Sequence, residues 1–171
     1  MKIVLLGYMG SGKSTVGRLL AGRLGIRFID LDTYIETKLG MDIPRIFKEK
    51  GELFFRKKEH ELLREVLADP ADTVLALGGG TPCYSGNMEA ILKQTPHVFY
   101  LMLPVADLVT RLLKEKEDRP LIRDIADKDL PEFIGKHLFE RREFYSLAPH
   151  TVPAANRDAE SLAAGIAGLL V

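Results

Sequence analysis

The chain has 171 residues, 46% hydrophobic and 28% charged, which suits one globular domain with its own core and no stabilising crosslink. Its 24 basic and 24 acidic residues cancel, so no overall field draws it to nucleic acid or an anionic membrane, and any anion site must be local. The single cysteine, Cys83, excludes an internal disulfide, no apolar run approaches a membrane span, and the chain starts directly on a strand pattern; a cytoplasmic protein is expected.

Ile3 to Leu6 reads as a short apolar strand. Gly7 to Thr15 follows with the spacing G-x-x-x-x-G-K-S, and Val16 to Ala21 continue as helix. Strand, glycine-rich turn and helix in that order are what a phosphate-binding loop requires. Glycines let backbone N–H groups curl inward as a nest for phosphate oxygens, and the helix adds its positive N-terminal end. In this reading the loop binds a nucleoside triphosphate, Lys13 reaches the outer phosphates and the Ser14 hydroxyl ligates Mg²⁺.

Gly25 ends that helix, and Ile26 to Asp30 form a second strand. Thr33 to Lys38 is a short helix closed by Gly40, and Asp42 caps a piece containing Ile43, Ile46 and Phe47. From Leu53 through Ala68, apolar residues at Phe55, Leu62, Leu63, Val66 and Leu67 recur at helical spacing. Thr73 to Leu77 is a third strand, and Gly78, Gly79 and Gly80 follow at once. Ser85 starts an expected helix through Lys93, and His97 to Met102 is a fourth strand. Pro104 fits a first helical position, and its helix runs to about Lys114. Lys114 to Pro120 is a charged loop. Pro131 opens a helix through about Tyr145, Thr151 and Val152 form a last strand, and Asn156 or Asp158 caps a final helix from Ala159 to Leu169. Apolar strands alternating with helices predict an α/β domain whose parallel sheet is covered on both faces. Ligands then bind outside the carboxyl ends of the strands.

Several constellations fall at those ends. Asp30 and Asp32 point to one side if the chain stays extended. Phosphoryl transfer wants one acid for Mg²⁺ and another near the accepting hydroxyl, although Asp32 could merely cap the next helix. Arg56 and Glu59 lie one helical turn apart; they are either a solvated pair or an arginine fork held by Glu59 and aimed at a substrate carboxylate. Gly78 to Gly80 is a flexible turn or a place where a ligand lies on bare backbone. Arg119-Pro120-Leu121 is a solvent loop or a lid that brings an arginine to the triphosphate. Of Arg141 and Arg142, about 100° apart on a helix, at most one enters a site. Cys83 has no partner in sequence that makes it a ligand or nucleophile and reads as structural.

Together these stretches resemble the shikimate kinase family. The matching residues are G-Y-M-G-S-G-K-S-T at 7–15, F-I-D-L-D at 28–32, I-x-x-I-F-x-x-x-G-E-x-x-F-R-x-x-E at 43–59, L-G-G-G at 77–80, R-P-L at 119–121 and R-x-x-x-Y at 141–145. The first element marks only a nucleotide-binding superfamily; the G-E-x-x-F-R-x-x-E element with the triple glycine narrows it. The resemblance implies a single domain over 1–171, similar in fold to nucleoside monophosphate kinases. That fold is three-layer α/β/α with five parallel strands, a phosphate loop at 7–15, a helical substrate-binding region at about 32–61 and a mobile lid at about 114–124.

The implied activity is transfer of the ATP γ-phosphoryl group to the 3-hydroxyl of shikimate, with Mg²⁺, in a monomer whose partners are small molecules. Carried over by position, Gly10, Ser11, Gly12, Lys13, Ser14, Thr15 and Arg119 bind ATP, and Ser14 with Asp30 serves Mg²⁺. Asp32 binds shikimate hydroxyls and is the candidate base; Lys13 and Arg119 are the other catalytic groups. Arg56 and Arg141 clamp the carboxylate, the spacing to Tyr145 favouring Arg141 over Arg142. Glu59 orients Arg56, and Gly78, Gly79 and Gly80 line the ring pocket. The adenine segment falls near Pro153 to Arg157, with Asn156 and Arg157 as candidates. The alternatives are another phosphate-loop kinase of small molecules, such as a gluconate or nucleotide kinase, or a nucleotide-binding switch without catalysis.

Overall fold

The computed structural model describes residues 1–170. In chain order the elements are β1 (Lys2–Leu6), α1 (Lys13–Leu24), β2 (Arg27–Asp30), α2 (Leu31–Leu39), α3 (Ile43–Lys50), α4 (Glu52–Ala68), β3 (Thr73–Ala76), α5 (Asn87–Gln94), β4 (Val98–Met102), α6 (Val105–Glu115), α7 (Pro120–Arg123), α8 (Leu130–Tyr145), β5 (His150–Pro153) and α9 (Ala159–Leu169). Short 3₁₀ turns lie at Thr81–Cys83, Lys116–Asp118 and Asp127–Asp129.

The five strands form one parallel sheet in the order β2-β3-β1-β4-β5. All five residues of β1 are buried. Successive side chains of a strand point to opposite faces, so helices must cover both. α1 packs beside α9, and α6 beside α8. Val4 pairs with Leu75 of β3 on one side and Val98 of β4 on the other. The chain thus builds outward from β1 in both directions, and a crevice opens beyond its carboxyl end. The loop after β1 fills that crevice. Beneath it Leu5, Leu6, Leu20, Leu75 and Phe99 are sealed from solvent, each worth about 1.5–3 kcal/mol of burial. Among the described residues no helix is long and apolar enough to cross a membrane.

Local chemistry accounts for most boundaries. α1 stops at Gly25, whose left-handed backbone (φ 65°) closes it onto Ala21 and Gly22. α3 is capped by Asp42, which accepts from the Arg45 amide at 2.9 Å. Four expectations are corrected. α2 begins at Leu31 rather than Thr33, because Asp30 is its cap. The chain therefore turns into helix immediately after Asp30 and does not stay extended to Asp32. Ser85 does not start α5: it and Gly86 both have left-handed backbone, and helix begins at Asn87. Pro104 has an extended ψ of 151° and caps α6 from outside. The charged stretch after α6 is not a bare loop, since it contains the 3₁₀ turn Lys116–Asp118 and then α7.

Of the two candidate caps for the last helix, Asp158 does the work, accepting from the Ser161 amide at 2.7 Å. Replacing such a cap by alanine costs about 0.5–2 kcal/mol. Asp158→Ala should therefore lower the unfolding free energy by an amount in that range, read as a lower urea midpoint with the m-value unchanged. An unshifted midpoint would show that packing against α1 holds α9 without its cap.

Candidate active site

The loop from Gly7 to Gly12 bends back on itself, and Gly10 (φ 78°) and Gly12 (φ 92°) supply left-handed conformations that other residues resist. α1 then begins at Lys13. The Lys13 ammonium is folded into the loop, where it donates to the carbonyls of Gly7 (2.8 Å) and Tyr8 (2.9 Å). Burial pulls its pKa down to about 8, with Asp32 opposing and the Arg119 charge assisting. Beside it lies a cavity of about 340 Å³ lined by Gly10, Gly12, Lys13, Ser14, Thr15, Asp30, Asp32, Gly78, Gly79 and Arg119, among others. Ten residues expected at the site thus share one space.

The Ser14 hydroxyl donates to Asp30, and the same carboxylate caps α2 through the Thr33 amide. A hydroxyl and a carboxylate side by side form an all-oxygen pair that suits a hard divalent cation. Asp32, in the first turn of α2, faces the same cavity. Burial pushes its pKa up to about 6, and the charges of Asp30 and Glu59 push the same way against Lys13.

Next to this cavity is a second group. Glu59 is only 1% exposed, and both its oxygens are engaged: Oε1 accepts from Arg56 Nη1 at 2.9 Å and Oε2 from Thr81 Oγ1 at 2.8 Å. It is a holder for Arg56 rather than an open contact. Arg141 comes from α8 and lies over the Tyr8 ring, 5.7 Å from its centroid. Among the described residues Arg141 has no carboxylate partner. Arg142 is exposed on the outside of α8, so Arg141 is the arginine that enters the site. The triple glycine explains how both guanidinium groups fit. A Cβ on Gly80 would lie 3.0 Å from Arg56 Nη2 and 3.2 Å from Arg141 Nη2. A Cβ on Gly79 would meet Arg141 at 3.0 Å, and one on Gly78 would meet Asp32 at 2.7 Å.

Arg119 reaches the cavity wall, where Glu115 holds it through Nε (2.8 Å) and Nη2 (2.6 Å). Arg111 also lines the cavity, donating to the Gly10 carbonyl at 3.3 Å. Neither Arg111 nor Glu115 stands in a motif, yet they lie four residues apart on α6, a spacing that marks one helix face, and Arg119 follows in the segment after it. Tyr8 and His137 were passed over too. Tyr8 Oη and His137 Nδ1 share a hydrogen bond at 2.8 Å, and burial beside Arg141 lowers the His137 pKa to about 4. No motif signals that contact, because it joins residues 129 positions apart. Three expected nucleotide contacts do not line the cavity. Ser11 is buried with its Oγ unpartnered. Asn156 lies exposed after β5, and Arg157 turns onto α9, donating to the Ser161 carbonyl at 3.2 Å.

Such a crevice offers fixed cations and backbone donors around a polyanion, with a carboxylate close by and little covalent work to do. It defines the class of phosphate-loop phosphotransferases. A family model described as shikimate kinase matches residues 9–169. A shikimate kinase of Flavobacterium psychrophilum is 45% identical over 151 residues, covering 88% of each chain. A crystal structure of shikimate kinase from Bacteroides thetaiotaomicron superposes with a TM-score of 0.90 at 34% identity, over 99% of this chain and 96% of that one. A structure of shikimate kinase from Acinetobacter baumannii in complex with shikimate gives 0.88 at 36% identity, over 99% and 92%. The chain belongs to the shikimate kinase family, and it is an ATP-dependent kinase.

The charge on Asp32 has a measurable cost in stability. In the folded protein the carboxyl keeps its proton up to about pH 6, whereas an unfolded aspartate loses it near pH 4. The folded state thus binds more protons between those values, and its stability falls as pH rises through them. Asp32→Asn, neutral and of the same shape, should melt above the wild type at pH 8, by about 2–4 °C per kcal/mol relieved. The advantage should shrink towards pH 4. Equal melting at pH 8 would mean that solvent screens Asp32 fully.

Proposed function

We propose that this chain transfers the γ-phosphoryl group of ATP to the 3-hydroxyl of shikimate, giving shikimate 3-phosphate and ADP. The observation that carries the acceptor side is the convergence of Arg56 and Arg141 on bare backbone at Gly80. Two guanidinium groups so close, one of them without an acidic partner, favour an anion between them, and a carboxylate matches their planar donors. The hydroxyls of the same small ring would face Asp32 across Gly78, beside the phosphate loop. The family relationship and the shikimate complex of the Acinetobacter baumannii relative support this reading.

On the nucleotide side, Gly10 to Thr15 cradle the phosphates, and the Lys13 ammonium leaves the carbonyls of Gly7 and Tyr8 for a phosphate oxygen. Ser14 and Asp30 hold Mg²⁺, which when bound neutralises phosphate charge. Asp32, ionised at neutral pH, accepts a hydrogen bond from the attacking hydroxyl and takes up its proton as the new bond forms. Arg119 and Arg111 approach the triphosphate from α6 and the segment after it, and the region at about 114–124 acts as a lid that excludes water. The transition state is loose, so positioning and fixed charge carry the rate. The enzyme is read as a single-domain cytoplasmic monomer with no nucleic-acid or membrane partner.

The direct test is ADP release that depends on both shikimate and ATP in the presence of Mg²⁺; activity on nucleoside monophosphates alone would sink the assignment. Arg56→Ala should raise the KM for shikimate far more than that for ATP, and equal losses would count against the clamp. Arg119→Ala should lower kcat by roughly 10²–10³-fold, the scale of removing one preorganised donor; an unchanged kcat would make the segment a mere surface. Since kcat/KM reports the free enzyme, its pH profile should rise through about 6 as Asp32 ionises and fall above about 8 as Lys13 loses its proton. A profile flat across that window would contradict both roles.

A further inference from the structure

Few hydrogen bonds hold the Arg56 guanidinium. Nη1 donates to Glu59, while Nε is buried without a hydrogen-bond partner, the nearest carboxylate being Glu52 at 3.7 Å. One bond at one corner fixes a point and leaves the plane free to pivot. A fork that must meet a carboxylate with two parallel N–H bonds needs its plane fixed as well.

Tyr84 supplies what is missing. Its ring centroid lies 3.9 Å from Arg56 Cζ, closer than that of Phe55 at 5.1 Å. The fold builds this placement. Tyr84 leaves the 3₁₀ turn Thr81–Cys83 in extended conformation. The left-handed pair Ser85 and Gly86 turns the chain back, so that the Asn87 amide donates to the Tyr84 carbonyl at 2.9 Å. Asn87 Nδ2 donates in turn to the Thr81 carbonyl at 2.9 Å, and Thr81 Oγ1 donates to Glu59. The contact between Glu59 and Thr81 thus anchors both the hydrogen bond at the corner of the guanidinium and the turn that brings a ring to its face.

The geometry points to Tyr84 as a positioning residue that fixes the plane of the Arg56 clamp for the substrate carboxylate, an inference that rests on the reading of Arg56 given above. The ring also keeps water from one face of the guanidinium, which strengthens its bond to the carboxylate. Tyr84 does not line the nucleotide cavity. It is 39% exposed, so replacing it leaves the core intact.

The test is initial-rate kinetics of the wild type, Tyr84→Ala and Tyr84→Phe, with shikimate and ATP varied in turn and melting curves for all three. Stacking of this kind predicts a rise of about 2- to 30-fold in the shikimate KM of Tyr84→Ala, an ATP KM unchanged within about twofold, and wild-type behaviour in Tyr84→Phe, which keeps the ring face. An unchanged shikimate KM in Tyr84→Ala, or a parallel rise in both KM values, would overturn the inference. So would a Phe variant as impaired as the Ala variant. A wild-type enzyme that fails to turn over shikimate would overturn the reading of Arg56 and this inference with it, whereas wild-type turnover with a normal Tyr84→Ala enzyme overturns the inference alone.

Discussion

Lys13 and Arg119 line the cavity and Arg56 and Arg141 lie beside it, and like charges gathered where water is scarce repel one another. The site depends on how they are kept there before any ligand arrives. Each has a holder from the protein itself. Two loop carbonyls take the Lys13 ammonium, Glu59 takes Arg56, Glu115 takes Arg119, and the face of Tyr8 takes Arg141. The holders differ in strength. A buried carboxylate bonded on both oxygens is a firm partner. Neutral carbonyls are weaker ones for a buried ammonium, and the lowered pKa of Lys13 records that deficit. Of the four, Lys13 and Arg141 are the two held without a carboxylate.

The second constraint is space. Gly78, Gly79 and Gly80 have no left-handed backbone among them, so what they provide is room rather than conformational freedom. Side chains from three separate elements come down onto this strip: Asp32 from α2, Arg56 from α4 and Arg141 from α8. A methyl at any of the three positions would press on a functional group. The strip is separated by one residue from β3, next to the central strand, so a short segment sets the spacing between an acid and two arginines that lie far apart in sequence.

Much of this was legible because the relevant signals are local. The phosphate loop is a contiguous run of residues, the Arg56–Glu59 pair is one helical turn, and Asp42 announces the helix it caps. The order of strands and helices followed from periodicity for the same reason. What escaped is mostly non-local or depends on backbone detail. The Tyr8–His137 bond exists only because α8 returns to the phosphate loop. Arg111 stands in no motif and Glu115 read only as part of a charged loop; the fold puts both beside the cavity. Asp30 looked like the end of an extended acidic pair, and only the immediate start of α2 gives it two jobs, capping the helix and receiving Ser14. Asn156 and Arg157 were placed near the nucleotide by sequence position alone; both lie outside the cavity, and Arg157 donates to the Ser161 carbonyl of α9.

Parallel pairing of β2 with β3 has a mechanical consequence. A chain leaving the top of one strand must return to the bottom of its neighbour before it can pair with it, and α4 makes that descent, about 25 Å for its 17 residues. Its upper turns carry Arg56 and Glu59, while Leu62, Leu63, Val66 and Leu67 are sunk in the core below. Arg56 is therefore mounted on a strut anchored in the core beside the sheet. The shorter helices α2 and α3, which end at Gly40 and Gly51, sink fewer side chains: Leu31 and Ile35 from the first and Ile46 from the second.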